Sequence, residues 1–330
     1  MVDAKPTEQP GVQLREMVSR REFTKWMLAG IPLSSSLTQG RRNPATLDST
    51  IRGVPIGVHT FSYRSLSLAN CLTAMKNSGL GVCELWAPHT EPNSRAQNRL
   101  GIGGVPKPGE VPKLPKIVFA SDLPPDPNLA PRGALREWRL DTSLNSFKDV
   151  RNKFDSAGII PITYDLNFTD DFTDDEIHKE FEIAKAFGVR GITTSSTVGV
   201  AKRLAPFANK HKVPVAFQFD SPETFATTMA MSPQFSIHLD AGDFLAAGHD
   251  PVPFIEANHQ RIQAVRLRDR LKNGGRSVPW GDGDTPLRQV LQLLRDKSYG
   301  IPALIYFDYN GGNVISEINA CFRYCLEALA

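Results

Sequence analysis

Beyond residue 50, short apolar, β-branched runs alternate with longer amphipathic segments, and this alternation limits the fold more than any other feature of the chain. The runs occupy residues 55–59, 82–86, 159–164, 191–194, 214–219, 236–240, 264–268 and 303–307. Apolar runs this short read as strands covered on both faces, and strands separated by helices return parallel to one another. Eight such units in about 280 residues fit a closed (β/α)8 TIM barrel of the α/β class. The rival is a doubly wound open sheet, but no G-x-G-x-x-G follows the first run. Gly101-Ile102-Gly103-Gly104 lies instead in the Pro-rich stretch 91–131, with no strand before it. That stretch reads as a long loop after the second strand, and a loop of such length is a lid or a surface excursion.

The intervening helices carry their own start and stop signals. Thr173-Asp174-Asp175-Glu176 is a capping box, followed on one face by Ile177, Phe181 and Ala184 and stopped by Gly188. Leu144, Phe147, Val150 and Phe154 form a second stripe, closed by Gly158. Thr285-Pro286 supplies an N-cap and a first-turn proline ahead of Leu287, Val290, Leu291 and Leu294. Cys321 and Cys325 stand four apart on the last helix and read as core residues rather than a metal or redox pair. With Cys71 and Cys83 they are too few for a disulfide scaffold.

Residues 1–50 do not share the pattern and form a separate segment ahead of a 51–330 barrel. Ser19-Arg20-Arg21-Glu22-Phe23-Thr24-Lys25 resembles the twin-arginine export signal of bacteria, followed by the apolar stretch 26–33. The stretch is short, broken by Pro32 and without a clear A-x-A cleavage site. The resemblance implies a signal and linker, the twin-arginine export machinery as a partner, and a periplasmic protein. The alternative is a basic arm on a cytoplasmic one. No apolar run reaches the roughly 18 residues of a membrane span. A formal charge of only +3 argues against nucleic acid as a partner.

In a barrel the chemistry sits at the C-terminal ends of the strands, and alternation selects the inward side chains. Those ends carry His59, then Glu84 and Trp86 with His89 and Glu91, then Gln218 and Asp220, Asp240 with Asp243, Arg266 and Arg268, and Tyr306 and Asp308. Polar groups repeated at one end of successive strands are costly unless they face a wet pocket. Gln218, Asp220, Asp240, Arg266, Arg268, Tyr306 and Asp308 are therefore read as a convergent ring. His178, His211, His249 and His259 lie away from strand ends and read as surface or capping residues.

The chain resembles the sugar phosphate isomerase/epimerase family, with its xylose isomerase-like TIM barrel, over residues 54–312. The likeness is carried by Cys83-Glu84-Leu85-Trp86 with His89 and Glu91-Pro92, by 171–177 and by 193–197. It continues through Leu239-Asp240-Ala241-Gly242 with Ala246-Ala247-Gly248, Asp269-Arg270 and the run 278–286. The resemblance implies one divalent metal held by a Glu or His, an Asp, a His and a Glu on strands five to eight. Of these only Asp240 is present; the other positions read Gln218, Arg266 and Tyr306, with Asp220 and Asp243 where histidines are usual.

Arginine cannot coordinate a cation, and Tyr and Gln are poor ligands for Mg²⁺ or Mn²⁺. No cofactor is therefore expected. Arg266 instead takes over part of the metal's work, clamping an enediolate, carboxylate or phosphate, with Asp240 as its ion-pair partner. A displaced Mn²⁺, Mg²⁺ or Zn²⁺ site on Asp220, Asp240, Asp243 and Asp308 is the alternative. Two functions follow. One is a carbohydrate isomerase, epimerase or related lyase with Asp240, Asp220, Glu84 or His89 as base, and Arg266 with Arg268 on the oxyanion. There Gln218, Tyr306, Asp308, His59, Trp86 and Trp280 bind substrate. The other is a non-catalytic carbohydrate-binding protein or scaffold, with Trp86, Trp280, Phe219 and Phe307 as aromatic platforms. A zinc-dependent DNA-repair endonuclease on the same fold would need several histidines at these strand ends, and they are absent.

Overall fold

The computed structural model describes residues 46–92 and 132–330. The twin-arginine stretch and Gly101-Ile102-Gly103-Gly104 lie outside the described residues, as does nearly all of the 91–131 loop. Eight parallel strands form the barrel: β2 (Val54–His59), β3 (Val82–Trp86), β4 (Ile160–Asp165), β5 (Gly191–Thr194), β6 (Val215–Phe217), β7 (Phe235–Asp240), β8 (Ile262–Leu267) and β9 (Ala303–Ile305). Each pairs with the next, and β9 pairs back onto β2 to close the ring. A two-residue strand, β1 (Thr50–Ile51), adds antiparallel to the start of β2.

Residues just ahead of 51 also pack against the barrel. Ser49 is buried; its Oγ donates to the Ile56 carbonyl at 2.6 Å and accepts from Gly81 N at 3.0 Å. These contacts tie the entering chain beneath the N-terminal ends of β2 and β3.

The helices are α1 (Leu68–Ser78), α2 (Arg132–Asp141), α3 (Leu144–Ala157), α4 (Asp174–Phe187), α5 (Val198–His211), α6 (Pro222–Met229), α7 (Ala241–Ala246), α8 (Pro251–Asn258), α9 (Leu287–Asp296) and α10 (Val314–Leu329). Thr173 Oγ1 accepts from Glu176 N, and Gly188 ends α4 at φ 65°, a left-handed backbone that costs glycine nothing. The other half of the capping box is absent. The buried Glu176 carboxylate instead takes Arg132, Arg136 and Arg139 from α2. Arg139 also holds Glu91, with its Nε 3.1 Å from Oε1, so the chain on both sides of 93–131 is fastened to one cluster.

The start of α9 differs from expectation. Thr285 does not cap it; Pro286 stands at the N-cap position with no side-chain hydrogen bond. Thr285 Oγ1 accepts from Arg270 N, because the loop is organised around Asp269, whose carboxylate receives the backbone N–H groups of Gly281, Gly283 and Thr285. A Cβ on Gly283 would lie 2.1 Å from Asp269 Oδ1, so this close approach requires glycine.

The main core lies between barrel and helices and includes Cys321 and Cys325, as expected; all four cysteines are buried and free. Inside the barrel, Ile162, Ala264 and Leu304, flanked by Val82 and Ile160, make a separate apolar floor. Among the described residues no helix is long and apolar enough to cross a membrane. His178 and His211 are not isolated: His178 Nδ1 and His211 Nε2 stand 2.6 Å apart between α4 and α5, and His211 is buried.

Candidate active site

Above the apolar floor the barrel interior turns polar. His59 on β2, Glu84 on β3, Thr163 on β4, Thr193 on β5, His238 on β7 and Arg266 on β8 are all buried. Arg266 is the hub of this layer. Its Nη2 donates to Glu84 Oε2 at 3.0 Å and lies 3.8 Å from Asp165 Oδ2, while Nη1 donates to Gln218 Oε1 at 2.7 Å. Its charge also rests on Tyr306, with the guanidinium carbon 4.7 Å from the ring centroid. Asp240 is Arg266's register neighbour, yet the partner of Arg266 is Glu84, from across the barrel. The expected Asp240–Arg266 pair does not form.

Asp240 is committed elsewhere. One oxygen caps α7 by accepting Asp243 N at 2.9 Å, and the other accepts Arg268 Nη2 at 2.9 Å. Arg268 is a second hub, with Nη1 3.1 Å from Asp243 Oδ1 and 3.0 Å from Asp308 Oδ2, and its guanidinium carbon 4.3 Å from the Tyr306 ring centroid. Asp243 receives Gln218 Nε2 at 3.2 Å and also pairs with Arg270. Three of the four carboxylates foreseen as a displaced metal site therefore converge, but on a guanidinium.

A residue absent from the expected ring completes the first hub. Asp165 Oδ2 accepts His59 Nε2–H at 2.7 Å. His59 Nδ1 takes the backbone N–H of Phe61 at 3.2 Å, and this fixes the ring proton on Nε2. Burial, helped by Arg266, drives His59 well below the usual histidine range, so it is a neutral donor. Burial also raises the Asp165 carboxyl, against the pull of Arg266. For Glu84 the upward push of burial is outweighed by His238, Arg266 and His59, and it stays below the usual range. Burial pushes Asp240 up to about 6. His238, also unforeseen, lies with Nε2 3.4 Å from Glu84 Oε2 and is driven down to about 4 by burial.

Asp165 was hidden by a bulge. Opposite the β3 pair Cys83–Glu84, β4 carries an extra residue, Ile162, between Pro161 and Thr163. Simple alternation from Ile160 would turn Tyr164 inward. The bulge instead sends Tyr164 out, where its hydroxyl donates to Glu180 Oε2 on α4 at 3.2 Å, and brings Thr163 and Asp165 in.

The remaining expectations divide. Phe61, Trp86 and Tyr306 form an aromatic rim: Phe61 stacks on Tyr306 at 5.3 Å and meets the edge of Trp86 at 5.0 Å. His89 is buried against Trp86, its ring driven down to about 4 by burial. Asp220 is exposed and meets none of the ring residues among those described, because β6 ends at Phe217 and the chain has already turned toward α6. Trp280 packs on Tyr324 of α10, while Phe219 and Phe307 pack on Phe217, Phe225 and Tyr309. These three serve packing, not the rim.

Among the described residues, one group has metal-ligand spacing: His59, Glu84 and Asp165, with donor atoms within 4.8 Å of one another. Arg266 stands 3.0 Å from its Glu84 oxygen, and His59 offers it a proton rather than a lone pair.

No protein-family model matches the chain, and no curated protein does. Solved structures do. A sugar phosphate isomerase/epimerase from Parabacteroides distasonis is similar at TM-score 0.53 and 13% identity, covering 86% of this chain and 97% of its own. A xylose isomerase domain containing protein from Salmonella typhimurium gives TM-score 0.55 and 13% identity over 85% and 98% of the two chains. The IOLI protein, whose structure has a bound zinc atom, gives 0.56 and 15% over 84% and 98%. With strand order, closure and these likenesses together, the fold is a xylose isomerase-like (β/α)8 TIM barrel.

Proposed function

We propose that the barrel mouth acts on an uncharged carbohydrate by proton transfer next to its carbonyl, with guanidinium charge in place of a divalent metal. The observation that carries this reading is the position of Arg266, bridging Glu84 and Gln218 beside Asp165. The residues do not fit a divalent cation. Both Asp240 oxygens and the Gln218 oxygen already accept N–H donors. At His59, Glu84 and Asp165 a cation would face a buried arginine and a protonated ring nitrogen.

An uncharged substrate suits the same geometry. Arg268 is matched by three carboxylates and Arg270 by Asp243, so neither is spare for a phosphate. The Nε–H groups of Arg266 and Arg268 are buried and have no partner among the described residues. The Phe61–Trp86–Tyr306 rim offers apolar faces for a sugar ring. The test is incubation with a panel of unphosphorylated aldoses and ketoses in D₂O, reading deuterium at the carbon beside the carbonyl by NMR. Catalysed incorporation into at least one sugar is expected. A sugar that raises the melting temperature without exchanging would favour the second reading, a binding protein, which the full commitment of Asp240 and Glu84 supports.

We also propose export by the twin-arginine route, on the strength of Arg20-Arg21 and the apolar stretch after them. Replacing both arginines with lysine is expected to retain the protein in the cytoplasm on cell fractionation. An unchanged distribution would remove this proposal.

A further inference from the structure

We infer that Asp165 is the general base of this site, an assignment that rests on the proton-transfer reading above. It follows from how the carboxylates are occupied. Glu84 is fully buried and ion-paired. Asp240 is fully buried and holds both a helix cap and Arg268. Asp243 and Asp308 each lie within 3.1 Å of Arg268 and are taken up in ion pairs with it.

Asp165 differs on each count. Its side chain is 13% exposed, its hydrogen bond comes from a neutral imidazole, and the nearest guanidinium nitrogen is 3.8 Å away. Only Oδ2 is used; Oδ1 accepts no hydrogen bond among the described residues. His59 fixes the carboxylate through its Nε2–H while Phe61 N fixes His59. The base is therefore held in place by a donor that cannot take its proton. Burial raises its carboxyl, which brings its proton affinity closer to the working pH.

The step balances without a co-reactant. Asp165 takes the proton from the carbon beside the carbonyl, and that C–H electron pair becomes the C=C bond of an enediolate. The carbonyl π pair moves onto oxygen, next to the arginine charge. Returning the proton from Asp165 to the neighbouring carbon, as the hydroxyl proton passes between the two oxygens, completes an aldose–ketose isomerisation. If Asp165 first trades that proton for a solvent deuteron, delivery of the deuteron to the same carbon gives exchange alone.

The experiment compares full-length wild type, Asp165→Asn and Asp165→Glu in the D₂O exchange assay, with circular dichroism to verify folding. A folded Asp165→Asn should lose roughly 10²–10⁴-fold in exchange rate, and Asp165→Glu should retain part of it. The wild-type rate should fall on acidification with a single ionisation above the usual carboxylate range, a dependence that a merely structural role would not give. If wild type exchanges and a folded Asp165→Asn keeps pace with it, the assignment is overturned while the proton-transfer reading stands. If wild type exchanges no sugar, both fall. Should Asp165→Asn not fold, the pH profile decides: a rate flat between about pH 4 and pH 8 overturns the assignment.

Discussion

An Arg266→Leu variant is expected to be about 3–5 kcal/mol less stable than wild type. The effect comes from what the arginine leaves behind. Glu84 is fully buried, and its Oε2 accepts Arg266 at 3.0 Å. His238 and His59 lie at 3.4 and 3.6 Å from that oxygen, but both are neutral. Removing the guanidinium strands a carboxylate in the barrel interior, and an uncompensated buried charge costs far more than the net worth of the pair. For a domain of this size the loss corresponds to a fall in melting temperature of roughly 6–20 °C. Arg266→Leu combined with Glu84→Leu should recover most of it, because neither charge is then left alone. Calorimetry on the single and double variants checks this. A double variant as unstable as the single one would mean that the Arg266–Glu84 pairing is not what holds this layer together.

The second large effect is a gain. Gln218→Glu, Arg266→His and Tyr306→Glu together are expected to create a divalent-metal site with Asp240. The three positions already touch: Arg266 Nη1 is 2.7 Å from Gln218, and its guanidinium carbon is 4.7 Å from the Tyr306 ring centroid. The triple change removes one buried positive charge and adds two carboxylates and a neutral imidazole, the donor types that Zn²⁺ and Mn²⁺ take. Asp240 must release Arg268, which keeps Asp243 and Asp308 as partners. With metal at a hundredfold excess over its Kd, the variant should gain about 2.7 kcal/mol of stability, read as a rise in melting temperature that wild type does not show. No metal-dependent shift in a folded triple variant would mean that these positions do not converge as a ligand set.

Much of this site was legible in the sequence because alternation and strand ends are local signals. Asp240, Arg268, Tyr306 and Asp308 follow from inward parity at strand ends, and they do meet. Pairing was not legible. Arg266 finds Glu84 from across the barrel rather than its strand neighbour, since Asp240 is drawn off to cap α7. Nor was Asp165, because one extra residue in β4 reverses the parity of everything after it. Asp220 and Trp280 failed for a different reason. The chain turns into α6 directly after Asp220, and Trp280 stands in the loop around Asp269 and packs on α10. The fold itself was easier, because eight repeats of one strand–helix unit tolerate errors of a residue or two at each boundary.

The most direct test of guanidinium charge in the metal's place is elemental analysis of the native protein. The chain would be purified without chelators from cells supplied with Mn²⁺ and Zn²⁺, with the triple variant prepared alongside it. The expected result is far less than one equivalent of any divalent metal in the native protein and close to one in the variant. A full equivalent of tightly held metal in the native protein, lost on Asp240→Asn, would contradict the account.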